Sequence, residues 1–118
     1  MKLVIPGQPV PCPRPRVTRH GTYYSDRYKD WLTTVRVAAI AAGWPSLLAD
    51  GPWTCLIRCY GTHKQADADN VAKGILDALT GILWPSDSFR YVPELRVIWL
   101  PVINPRDART EIEVEALK

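Results

Sequence analysis

The chain has 118 residues, 47% of them hydrophobic, with 15 Lys and Arg against 12 Asp and Glu. That balance excludes wholesale disorder and fits a single domain, residues 1–118, around one core. No apolar run approaches the roughly 20 residues that cross a bilayer, Met1–Pro6 is too short for a secretory leader, and three cysteines without Cys-x-x-Cys spacing point to a reducing cytoplasm rather than a disulfide framework.

Leu3-Val4-Ile5, stopped by Pro6-Gly7, predicts a first strand. Pro9, Pro11, Pro13 and Pro15 follow at every second position. Proline fixes φ and removes a donor, so this stretch is an extended, pre-ordered loop. Arg14 and Arg16 lie on one side of it. They are suited to bidentate phosphate contact, or, more plainly, are surface arginines on a rigid connector. Residues 1–36 carry seven basic side chains against two acidic, whereas the remainder carries eight against ten. The basic part is the part able to meet a polyanion.

Val17 to Tyr24, with Gly21 inside, predicts a short hairpin, and Ser25 or Asp26 caps a helix running to about Ala42. In that helix Tyr28, Leu32, Val35, Ala39 and Ala42 recur at helical spacing, Trp31 and Val37 broaden the buried face, and Gly43 and Pro45 end it. Residues 45–52 read as a loop. Trp53 to Tyr60 alternates, with Trp53, Cys55, Ile57 and Cys59 on one face and Thr54, Leu56, Arg58 and Tyr60 on the other. The cysteines are thus packing residues rather than nucleophiles. A second helix spans about Asn70 to Leu83 on a stripe of Val71, Ile75, Leu79 and Ile82, with Gly81 a point where its regular part ends. Trp84 to Ser88 is a turn. Tyr91–Leu100 and Thr110–Ala116 are the last strands, and the Pro105 and Asp107 loop between them predicts an antiparallel hairpin. The element order gives an α+β fold, a mixed β-sheet with two main helices packed on it. The strands before and after the second helix are expected to be parallel neighbours.

The chemistry concentrates in residues 67–81. Asp67 and Asp69 sit one residue apart, followed by Asn70, Lys73 and Asp77, and Asp87 follows in the next turn. In an extended segment both carboxylates point to one side. If the helix starts at Asn70, Asp69 is its N-cap and Lys73 lies one turn in, where a cation opposes the helix dipole. Such oxygen donors suit Mg²⁺. The plainer reading has Asp69 as a cap, Asp67 solvated, and Lys73 paired with Asp69 and Asp77 at i−4 and i+4. Both readings stand on these residues alone. A calcium EF-hand does not, because the positions needing Gly and Glu hold Ala72 and Ala78. His63 and Lys64 lie in the loop before the acids, and a lone loop histidine is assigned no metal.

Asp67-x-Asp69-Asn70-x-x-Lys73, then Leu76-Asp77-Ala78-Leu79, then an acid eighteen residues after Asp69, resembles the RusA-type Holliday junction resolvases, a family of crossover junction endodeoxyribonucleases. Ile5-Pro6-Gly7-Gln8-Pro9 and Arg14-Pro15-Arg16-Val17 resemble the same family's N-terminal segment, so the likeness covers nearly the whole chain. It implies a small homodimeric, Mg²⁺-dependent endonuclease that cuts four-way DNA junctions. On that resemblance Asp67, Asp69 and Asp87 match the metal-binding acids, Lys73 the active-site lysine, and Asn70 and Asp77 supporting positions. Arg14, Arg16, Arg19 and Lys64 are the residues expected on the DNA backbone. Two departures stand out: Ser86 occupies a place where the family often has a second acid, and the loop His63-Lys64-Gln65 is less basic than in some members.

The residue types fit that chemistry on their own terms. Phosphodiester hydrolysis needs a water nucleophile and a Lewis acid, which carboxylate-held Mg²⁺ supplies, and Lys73 adds charge where the transition state develops it. With only His20 and His63, no Ser-His-Asp or Cys-His arrangement competes. One acidic constellation and no internal repeat imply that two opposing nicks take two chains, with Trp44, Trp84 or Trp99 in the interface. Two readings from other classes stand beside this one. One is a junction-DNA binding protein with weak or no cleavage, supported only by Ser86. The other is a metal-free structural or interaction domain whose acids cap a helix.

Overall fold

The computed structural model describes residues 1–13, 16–23, 25–62 and 68–117. In chain order they form β1 (Lys2–Pro6), β2 (Arg16–Thr18), β3 (Gly21–Tyr23), α1 (Asp26–Ala41), β4 (Trp53–Gly61), α2 (Ala68–Leu79), β5 (Glu94–Pro101) and β6 (Arg109–Ala116). Short 3-10 helices occupy Trp44–Asp50, within the stretch read as a loop, and Pro105–Asp107. The α+β reading holds: β2 and β3 pair as the small hairpin, and the other four strands form one mixed sheet in the order β1-β6-β4-β5.

β4 organises the sheet because its alternation is strict. Trp53, Cys55, Ile57, Cys59 and Gly61 are buried, and the intervening residues are half-buried. β5 runs parallel to β4, with Thr54 opposite Glu94 and Gly61 opposite Pro101, as expected for strands joined through a crossover helix. The predicted β5–β6 hairpin does not form. β6 instead lies antiparallel between β1 and β4. Its inward residues Thr110, Ile112 and Val114 are wholly buried, as suits a strand in the interior of the sheet.

Both helices cover the inward face. Ser25 caps α1, its Oγ accepting from the Tyr28 N–H at 3.4 Å, and Tyr28, Trp31, Val35 and Ala39 are buried against the sheet and α2. Val37 does not broaden that face; it is exposed. α2 stops at Leu79, four residues before the sequence pattern ends. Gly81 takes the left-handed conformation at φ 86°, and the N–H groups of Ile82 and Leu83 fold back onto the Leu79 carbonyl. The apolar period runs on because Leu83 and Trp84 still fill the core from the turn. Trp44 and Trp84 are core residues, not interface candidates, whereas Trp99 is only half-buried.

Among the described residues, the outward face of the sheet carries no helix. It bears a charge network around Glu111, whose carboxylate receives Lys2 at 3.0 Å and Arg109 at 2.8 Å, with Arg58 bridging to Glu113 at 2.8 Å. The Arg109 guanidinium stacks on Tyr60, 3.8 Å from the ring centroid. Arg109, through its hydrogen bond first, and Lys2 hold the Glu111 carboxyl below its ordinary pKa.

Candidate metal and nucleic-acid site

The first turn of α2 brings the acidic and the proline-rich motifs together. α2 begins at Ala68, so Asp69 lies inside its first turn rather than at the N-cap. Its side chain is exposed and Oδ1 accepts from the Asn70 N–H at 3.0 Å. There the negative charge is favoured by the N-terminal end of the helix dipole. The Asn70 carbonyl accepts from the Cys12 N–H at 2.9 Å. Upstream, Gln8 grips Thr62 twice, Nε2 donating to Oγ1 at 2.9 Å and Oε1 accepting from the backbone N–H at 3.2 Å. The extended N-terminal segment therefore runs from the C-terminal end of β4 to the first turn of α2. Arg14, Lys64 and Asp67 lie outside the described residues, as does the Arg16 side chain, although its backbone belongs to β2. Arg19 is exposed at the β2–β3 turn.

Lys73 and Asp77 follow on α2. The Lys73 ammonium lies 3.4 Å from the Asp77 carboxylate, one turn on, as the plainer reading expected. That carboxylate also accepts from the Tyr28 hydroxyl at 3.5 Å, and Arg36 of α1 donates to the Ala78 carbonyl at 3.1 Å. Asp77 thus joins Lys73 to the contact between the helices. At i+4 from Asp69, Lys73 stands on the same side of α2 as that acid.

Asp87 is exposed in the turn between α2 and β5. Ser86, in the place of a second acid, holds this turn: its Oγ accepts from the Ser88 N–H at 3.3 Å and meets the Ser88 hydroxyl at 3.1 Å. The buried Trp84 anchors the turn from below, its Nε1–H donating to the Leu76 carbonyl at 3.3 Å. Two links then fix where Asp87 lies. The N–H groups of Tyr91 and Val92 donate to the Ser88 carbonyl, and the Trp53 N–H donates to the Tyr91 carbonyl. Asp87 therefore belongs to the N-terminal end of β4, and Asp69 to its C-terminal end. The 12 residues of α2, about 18 Å of helix, run between them.

Oxygen donors suit a hard divalent cation, and among the described residues neither Asp69 nor Asp87 is engaged in an ion pair. Among those residues no three His, Cys, Asp or Glu side chains cluster to hold a metal. Cys55 and Cys59 are no alternative, since burial pushes their thiols up to about 12 and about 11. Sequence reasoning missed the Glu111 network. Alternation placed Arg58 on the outward face, but its partner Glu113 is 55 residues away along the chain and no local pattern announces it. Among the described residues no helix is long and apolar enough to cross a membrane. A family model described as endodeoxyribonuclease RusA matches residues 6–115. No curated protein matches the chain.

Proposed function

This chain belongs to the RusA family of endodeoxyribonucleases, and from that premise we propose that it is a single-domain, Mg²⁺-dependent, cytoplasmic resolvase of four-way DNA junctions, acting as a two-fold homodimer. The observation that carries the reading is the placement of Asp69 and Asp87 at opposite ends of β4. Asp67 and Asp69 of one chain meet Asp87 of the second, so each dimer holds two sites, one for each nick. The carboxylates of Asp67, Asp69 and Asp87 would hold the cation, which would supply Lewis-acid chemistry for phosphodiester hydrolysis when bound.

The remaining steps belong to the chain's own side chains. Lys73 stabilises charge developing on the phosphate oxygens, and its pairing with Asp77 orients it along α2. Asn70, through its carbonyl, fixes the N-terminal segment. Arg14, Arg16, Arg19 and Lys64 grip the DNA backbone and position the strand, a contact that weakens with salt.

Mixing two inactive variants tests this. Asp69→Asn and Asp87→Asn each lose junction cleavage while still binding junction DNA. In a mixed dimer one site carries both substitutions and the other carries neither. Co-refolded variants are therefore expected to recover single-strand nicking of a synthetic four-way junction in Mg²⁺. Absence of recovery, with both variants folded and binding, would overturn the two-chain site. Full activity of either variant alone would remove that residue from it.

A further inference from the structure

We propose that the connection between β5 and β6, residues 102–108, opens the branch of the DNA substrate, with Ile103 as an apolar wedge against the bases and Arg106 as the phosphate anchor beside it. This rests on the junction-resolvase reading above and adds two residues to which that reading gives no role. The sheet order dictates where the connection lies. β5 and β6 flank β4 on opposite sides, β5 parallel to it and β6 antiparallel. The chain between them therefore arches over the C-terminal end of β4, a crossing of two strand spacings or about 10 Å. From that end the chain leaves through Thr62 toward the acidic motif, and there Gln8 holds the start of the proline-rich segment.

The arch is fastened at both feet. The Val102 N–H donates to the Gly61 carbonyl and the Gly7 N–H to the Ala108 carbonyl, each at 3.0 Å. Between the feet, the Asn104 side chain accepts from the Arg106 N–H at 3.0 Å, and the Arg109 guanidinium donates to the Asp107 carbonyl at 2.9 Å. Ile103 is fully exposed, more so than any other large apolar side chain described, and the next, Phe89 at 86%, lies two residues beyond Asp87. A lone exposed isoleucine is ordinary on a protein surface. This one is held out on a braced arch at the end of the sheet where Asp69 lies. Arg106 is exposed and, among the described residues, in no ion pair. The charge of its neighbour Asp107 acts on Arg109. At a branch the base stack is interrupted, and an apolar side chain set between bases covers the faces that unstacking exposes. A cation alongside it neutralises the adjoining phosphate.

The test uses the full chain and a synthetic four-way junction carrying 2-aminopurine at the branch, whose fluorescence rises on unstacking. Without divalent metal, saturating wild type is expected to raise the fluorescence, and Ile103→Ser to give a rise at least about three-fold smaller. In Mg²⁺, single-turnover nicking by Ile103→Ser is expected to fall about ten-fold on the fully paired junction. It recovers on a junction mismatched at the branch, where the unstacking is already done. Ile103→Leu keeps both signals, and Val37→Ser, at an exposed apolar residue of α1, changes neither. Arg106→Ala is expected to weaken binding about five-fold and to lower the salt slope by about one. Replacing an exposed side chain empties no core site, and far-UV circular dichroism certifies each fold. A folded Ile103→Ser that keeps the fluorescence rise or the nicking rate, or that loses rate equally on paired and mismatched junctions, would overturn the wedge. An unchanged salt slope in Arg106→Ala would overturn the anchor. Both results leave the resolvase reading standing, because in them the wild type still nicks the junction. A wild type that neither unstacks nor nicks the junction would overturn both readings.

Discussion

The two edges of the main sheet are built on opposite plans. At β1, five residues alternate cleanly, Leu3 and Ile5 are sealed against the core, Lys2 is drawn onto Glu111, and the terminal ammonium donates to the Val114 carbonyl at 3.0 Å. Pro6 closes the strand with a residue that has no donor. At β5, eight residues run with neither seal nor clamp on the outer side among the described residues. An edge without such protection invites pairing with another strand.

Three measurements break or sharpen that contrast. The largest effect is expected for Ile5→Ala, which empties a site 1% exposed and should cost about 3 kcal/mol by urea unfolding. Leu95→Ala, read at low protein concentration, should cost less than about 1 kcal/mol. Equal costs would mean that β5 is as sealed as β1. Next comes Glu111→Gln, which leaves Lys2 and Arg109 without their carboxylate and should cost about 2 kcal/mol at neutral pH. The folded pKa of Glu111 is depressed, so its stabilisation is present above the ordinary carboxylate pKa and is lost as pH falls through the lowered value. Stability curves of wild type and variant should therefore converge in acid, and a constant offset across pH would assign the cost to packing instead. The smallest effect is expected for Val4→Lys, outward on β1 and half-exposed, at within about 0.5 kcal/mol.

Much of this architecture was legible because it is local. The α1 cap, the alternation of β4 and the hairpin around Gly21 are each written within a few neighbouring residues, and the structure follows them closely. The end of α2 was not, because Ile82, Leu83 and Trp84 are apolar for the sake of the core and keep the helical period after the helix has stopped. Nor was the partner of β6, since strand pairing is decided by burial on both flanks rather than by proximity in the chain. Of the candidate site, the oxygen donors and Lys73 stood out by type and spacing. What eighteen residues of separation did not convey is that a helix intervenes and carries Asp87 back to the start of the strand. The parallel pairing of β4 and β5, itself foreseen, already entailed that return.

The bond from Cys12 to the Asn70 carbonyl makes the alternating prolines into a ruler. Pro11 and Pro13 on either side have no N–H to offer. Were the segment to slip by one residue in either direction, the carbonyl would face a ring nitrogen and go unanswered. Register is thus set by which residues lack a hydrogen, not by which side chains fit. The side chains of Pro11, Cys12 and Pro13 are thereby free of the task of fixing the register against the first turn of α2.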